Sequence, residues 1–251
     1  AEGEIVFPER SILMVYGSAG QMKNSMLTLS MIAELRRAKE TAEFFDSLAP
    51  REQPEWLEEF LERTRFPKQK ARVPHICLLD TGVNRGHPFL SSAVSQTDLH
   101  TVEPGWGVYD QDGHGTAMAG LAMAGDWTSW LSSRDYLSIG HRLESVKLLQ
   151  QSGANGSDAK SHGYLTTEAI SRPEITAPRR ARVFSMTITA RDNRDRGRPP
   201  AWSATVDGLA ADADGQGESP RLFVLSAGNI NDTNAWAEYP HSNSSDSIHD
   251  P

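Results

Sequence analysis

Three residues in this 251-residue sequence stand where their side chains could do chemistry: an aspartate, a histidine and an asparagine. Leu78-Leu79-Asp80-Thr81-Gly82 is an apolar run that ends in an acid and a glycine turn. An aspartate at the C-terminal end of a strand points into the crevice where open α/β sheets hold their ligands. Turn chemistry is the plainer reading, since Asp followed by Thr-Gly satisfies it as well. Asp112-Gly113-His114-Gly115-Thr116 sets a histidine between two glycines, at the start of a run of Ala, Gly and Met. The glycines allow backbone to approach the ring closely. An imidazole titrates near neutrality and suits proton transfer. A lone histidine is more often structural, but the glycine clasp argues against that here. Leu225-Ser226-Ala227-Gly228-Asn229 ends another apolar run in small residues and a carboxamide. The NH₂ of Asn229 can donate a hydrogen bond into a crevice, although Gly-Asn is also common turn sequence.

The elements that must position these residues follow from the apolar rhythm. From about Val73, short continuous apolar runs alternate with helix-like segments. Ile76 to Leu79, Val146 to Leu149, Val183 to Met186 and Leu222 to Leu225 read as strands covered on both faces. Thr116 to Ala124, Thr166 to Arg172 and Trp202 to Ala211 read as helices. The small side chains of the first predict a helix packed closely on its neighbours. Strands separated by helices predict a doubly wound, mainly parallel α/β sheet. The polar, Gly/Pro-punctuated stretches Arg191 to Pro200 and Ala213 to Pro220 read as loops.

Residues 1–72 differ from residues 73–251 and read as an N-terminal helical appendage or pro-segment-like region. Ile12 to Tyr16 is a short apolar run of strand type, and Met26 to Phe45 is rich in helix formers. Pro54 opens a second helix with Trp56, Leu57, Phe60 and Leu61 on one face and Glu58, Glu59, Glu62 and Arg63 on the other. Such apolar faces must pack on something, most simply the domain that follows.

Composition narrows the function classes. The formal net charge is -8, and no long run of Lys or Arg occurs. Nucleic-acid binding draws on clustered cations, so no nucleic-acid partner is expected. No apolar stretch approaches the roughly 20 residues that span a bilayer, so no membrane partner is expected either. Cys77 is the single cysteine, which rules out an internal disulfide and suits a cytoplasmic, reducing setting. Gly17 to Lys23 follows an apolar run, but Met22 stands where a phosphate-cradling loop needs glycine before its lysine. The histidines show no His-Glu-x-x-His pattern, and one cysteine cannot build a thiolate site.

The order Asp80, His114, Asn229 and their motifs resemble the subtilases, the subtilisin-like serine peptidases. Asp80-Thr81-Gly82 matches the acid motif, His114-Gly115-Thr116 the histidine motif and Ala227-Gly228-Asn229 the oxyanion motif. The resemblance covers roughly residues 73–251 and implies a three-layer subtilisin-type α/β fold. By this resemblance His114 is the general base and Asp80 holds its tautomer. Asn229 donates to the oxyanion. A protein or peptide substrate is then added as a strand along Thr187, Ile188 and Thr189, with Ser226, Ala227 and Gly228 as the opposite wall. Thr189 stands where the family usually has glycine, which narrows the first pocket. No cofactor is required by the resemblance. Calcium, which many subtilases hold, could draw on Asp207, Asp212 and Asp214, against which a solvated acidic loop is the better reading. The first 70 residues, with His141 to Lys147, resemble those of large bacterial subtilases paired with an AAA-type ATPase in phage defence.

The family's nucleophile lies in a Gly-Thr-Ser motif well beyond the asparagine, and no Gly-Thr-Ser occurs in these 251 residues. The expectation is a catalytic domain truncated at the C-terminus, with the serine lying beyond the end of this chain and the isolated chain inactive. The alternative is a catalytically incomplete subtilase-like module that binds a peptide or protein partner.

Overall fold

The computed structural model describes residues 4–6, 8, 11–13, 32, 42–68, 72–150, 162–188 and 199–228. In chain order these form a short antiparallel hairpin of β1 (Glu4–Val6) and β2 (Ser11–Leu13), then helices α1 (Ala42–Ser47) and α2 (Gln53–Glu62). There follow β3 (Thr64–Arg65), β4 (His75–Asp80), α3 (Pro88–Ala93), β5 (Val94–Thr101), α4 (His114–Ala124), α5 (Trp127–Leu131), β6 (Leu137–Ser138) and β7 (Arg142–Lys147). Helix α6 (His162–Thr176), β8 (Arg182–Met186), α7 (Ala201–Ala211) and β9 (Leu222–Leu225) complete the described strands and α-helices.

Five strands form one parallel sheet in the order β5-β7-β4-β8-β9. Alternation along β4 divides the core in two. Leu78 joins Leu143, Val94, Ala119 and Met123 on the face covered by α4. Cys77 and Leu79 join Val146, Phe184, Ala169, Ile170 and Val206 on the face covered by α6 and α7. A strand buried on both faces reads as a continuous apolar run, which is why β4 was visible in the sequence. The result is the expected three-layer α/β arrangement of subtilisin type, helices on both sides of a mainly parallel sheet.

The same alternation places polar side chains. Asp80 falls on the α4 face with Leu78. Lys147, the strand partner of Asp80, falls on that face with Leu143. Glu144 falls on the opposite face, where it pairs with Arg180 and Arg182.

Helix α2 forms where the proline and the apolar spacing placed it. Phe60 is buried, Trp56, Leu57 and Leu61 are half-buried, and Glu58, Glu59 and Glu62 are exposed. Its apolar face packs on the domain that follows. The Phe60 ring lies 5.7 Å from Phe89 and 5.1 Å from Trp127, inside the α4-side core. Strand β3 pairs with β6, and the Arg63 guanidinium donates to the carbonyls of Trp130 (2.7 Å) and Asp135 (3.0 Å). Arg142, itself buried, donates to the carbonyls of Pro67 (3.1 Å) and Ser92 (3.2 Å). Of the earlier expectations, the strand at residues 12–16 is described at residues 12 and 13, within β2. The helix at residues 26–45 is described at Ile32, which is not helical, and from Ala42, where α1 begins. The rest of both lies outside the described residues. The Gly17 to Lys23 segment lies outside the described residues.

Three expectations of burial change. Arg63, read from the sequence on the polar face with Glu58, Glu59 and Glu62, is buried just past the C-terminal end of α2, because its guanidinium finds the carbonyls of Trp130 and Asp135. Strand β9 is an edge strand among the described residues, paired only with β8, so Leu222, Val224 and Leu225 are exposed rather than covered. Helix α4 buries Gly115, Ala119, Met123 and Ala124, while Ala117 and Leu121 face outward.

Candidate active site

Asp80 is the last residue of β4 and is fully buried. The chain turns immediately after it through Gly82, whose φ of +101° favours glycine and whose missing side chain leaves room for the Val108 carbonyl. His114 is the first residue of α4, preceded by Gly113 at φ +96°. A Cβ on Gly115 would run into the Gly82 carbonyl oxygen. The glycine clasp around His114 therefore lets the Asp80 and His114 segments touch backbone to backbone.

That contact brings the two side chains together. His114 Nδ1 lies 2.9 Å from Oδ1 and 2.9 Å from Oδ2 of Asp80, and donates to the carboxylate when it carries the proton. Two more donors complete the carboxylate: the Thr81 N–H reaches Oδ1 at 2.6 Å, and the Thr187 hydroxyl donates to Oδ2. A buried acid in this position has its oxygens satisfied, as buried polar groups must. The imidazole keeps 33% of its side chain exposed while Asp80 keeps none, so the exposed part of the ring faces away from the carboxylate. An imidazole held at one nitrogen and open at the other can accept a proton from a hydroxyl and return it to a leaving group.

The described members of the remaining candidate residues follow strands at the same edge of the sheet. Thr187 and Ile188 follow β8 directly, and Ser226, Ala227 and Gly228 follow β9. The Ser226 N–H donates to the Met186 carbonyl (3.0 Å), which holds the two segments side by side. Ser226 and Ala227 are exposed, Gly228 is half-buried at φ +94°, and Ile188 packs against the α6-side core. Thr187, read from sequence as part of a substrate-binding strand, directs its hydroxyl to Asp80. Thr189 and Asn229 lie outside the described residues.

Sequence reasoning missed Asp110, four positions before His114. Its Oδ1 accepts from the Thr81 hydroxyl (3.0 Å) and from the N–H groups of Asp112 and Gly113 (2.9 Å each). Its Oδ2 accepts from the N–H (2.8 Å) and hydroxyl (2.6 Å) of Thr116. Burial pushes this carboxyl up, but the hydrogen bonds from Thr116, Gly113 and Asp112 outweigh it and hold it below the ordinary range. Buried Lys147 donates to the Tyr109 carbonyl at 2.8 Å. Burial lowers its pKa, and the nearby Asp110 charge opposes that shift. No local capping signal marks it, since the residue immediately before the helix is Gly113.

Among the described residues no group of three or more His, Cys, Asp or Glu side chains is arranged to hold a metal ion. Asp212, one of the calcium candidates, accepts from the Ser219 N–H (2.9 Å) and from Arg221 (3.2 Å). Also among the described residues, no helix is long and apolar enough to cross a membrane.

An open parallel sheet with an acid-imidazole pair at its C-terminal edge makes a crevice equipped for proton transfer. The subtilase family model matches residues 72–251, so the chain belongs to the subtilase family, the serine peptidases of subtilisin type. No curated protein and no solved structure matches the chain.

Proposed function

We propose that this protein is a serine endopeptidase in which Asp80 and His114 are the acid and base of an Asp/His/Ser triad. The nucleophilic serine is supplied from outside these 251 residues. The observation that carries the reading is the bond from His114 Nδ1 to the buried Asp80 carboxylate, on the two motifs that the family membership would require. With Nδ1–H held by Asp80, His114 Nε2 takes the serine proton as the serine oxygen bonds to the peptide carbonyl carbon. The negative charge that develops on the carbonyl oxygen accepts a hydrogen bond from the Asn229 amide. Collapse breaks the C–N bond, and the imidazolium returns its proton to the departing amine. Water, deprotonated by the same imidazole, then releases the acyl group from the serine.

Thr187, Ile188 and Thr189 on one side and Ser226, Ala227 and Gly228 on the other would hold the substrate as an added strand. Their support is position: the described members follow adjacent parallel strands at the edge where Asp80 stands. The AAA-type ATPase partner and the phage-defence setting draw on the resemblance of the N-terminal region.

A fluorophosphonate probe tests the reading. The complete protein should be labelled at one serine, and His114→Ala should abolish labelling without unfolding the protein. Absent labelling contradicts it and favours a binding module; labelling unchanged in the His114 variant contradicts the role of His114 as the base.

A further inference from the structure

We infer that Asp110 is the positioning residue that fixes the geometry between Asp80 and His114, an inference that rests on the peptidase reading above. The residue after the acid is bonded to the residue after the imidazole: the Gly115 N–H donates to the Thr81 hydroxyl oxygen at 2.9 Å. That hydroxyl in turn donates to Asp110 Oδ1. The same oxygen takes the N–H groups of Asp112 and Gly113, which lead into His114. The other oxygen takes both donors of Thr116, which follows it. One carboxylate therefore gathers donors from both sides of the imidazole and from the loop of the acid.

Asp110 is itself anchored from below. Buried Lys147 is the parallel-strand partner of Asp80 and holds the carbonyl of Tyr109, the residue before Asp110. The Leu148 N–H continues that ladder to the Asp80 carbonyl at 2.7 Å. Acid, imidazole and Asp110 loop are thus referred to one strand pair, β4 and β7. Asp110 touches none of the groups that would meet substrate. Its effect passes through the orientation of His114.

An asparagine at position 110 keeps the size but offers one acceptor oxygen, so its NH₂ must face donors on one side. The measurement is nuclear magnetic resonance of ¹⁵N-histidine-labelled protein, reading the Nδ1 proton of His114 and its exchange with water. Asp126→Asn is the matched control. Asp126 caps α5 through Thr128 N–H (3.0 Å) and the Ser129 hydroxyl (2.6 Å), past the end of α4 opposite to His114. In the wild type the ring should show a single Nδ1-protonated tautomer. In Asp110→Asn that proton should exchange about tenfold faster or more, the weight of one charge-assisted hydrogen bond. Asp126→Asn should lower Tm but leave His114 unchanged.

Thr81→Val, which removes only the bridging hydroxyl, gives the same readout should Asp110→Asn not fold, and should also speed the exchange. A His114 signal in these variants that tracks Tm alone, as in the Asp126 control, overturns the inference and leaves the peptidase reading standing. A wild-type ring without the Nδ1-protonated tautomer overturns both.

Discussion

Thr187 donates its hydroxyl to Oδ2 of Asp80, although the two residues belong to different strand ends of the sheet. Period-two alternation along β8 sends Phe184 and Met186 to the α6 side and Thr187 to the Asp80 side. The hydroxyl thus acts on the acid. On the proposed peptidase reading, Thr187→Val should lower kcat by about tenfold with a smaller change in KM, the weight of one hydrogen bond to a charged group. Thr187→Ser should restore most of it. Steady-state kinetics on one peptide substrate checks both, and a pure KM effect would assign Thr187 to substrate binding instead.

Gly115 tests the contact that joins the two motifs. A methyl group there meets the Gly82 carbonyl oxygen, a backbone atom that cannot swing aside. Gly115→Ala should destabilise the fold by about 1–3 kcal/mol, the usual range for overpacking, and should also widen the Asp80–His114 distance. Urea unfolding measures the first effect. A variant as stable as the wild type would show that the close approach is not maintained in solution.

A prediction about pH comes from the other face of the sheet. Burial raises the Glu144 carboxyl, but hydrogen bonds and charge from Arg182 and then Arg180 outweigh it and hold its pKa below the ordinary value. Arg180 also bonds Asp98 at 2.7 Å. A depressed folded pKa contributes stability that is fully present above the unfolded value of about 4.3. That contribution is lost as pH falls through the lower folded value. Unfolding free energy should therefore drop as pH falls below about 4.3, and Glu144→Gln should flatten that dependence. At pH 7 the variant should cost about 3–5 kcal/mol, because two arginines lose a buried partner. An unchanged pH slope in the variant would remove Glu144 as the source.

Phe60 lies outside the residues matched by the family model, yet its ring is buried among Phe89, Trp127 and the α4-side core. Phe60→Ala should cost about 3–5 kcal/mol, as for other buried phenylalanines. Thermal unfolding should show a single lowered transition. A loss below about 1 kcal/mol would mean that α2 is dispensable to the domain that follows.

Legibility in the sequence tracked how simply each residue's burial was arranged. Strand β4 and the strands at residues 183–186 and 222–225 were readable because each is a short stretch dominated by apolar residues. Strand β5, Val-Ser-Gln-Thr-Asp-Leu-His-Thr, was invisible because its polar residues hide the pattern. Strand β7 was read only from Val146 onward. Its first residues include Arg142 and Glu144, whose burial depends on partners distant in sequence. Asp80 and His114 announced themselves through glycines that permit close backbone approach. Asp110 did not, because its importance lies in five donors that only the folded loop gathers. The exposure of β9 was likewise unreadable, since an apolar run does not say how many neighbours a strand has.

Peptide hydrolysis by the complete protein, compared between wild type and Asp80→Asn, tests the central assignment most directly. Wild-type turnover should fall by roughly four orders of magnitude in the variant, with the circular dichroism spectrum unchanged, because the imidazole loses the group that fixes its tautomer. Hydrolysis at the wild-type rate by a folded Asp80→Asn protein would contradict the account.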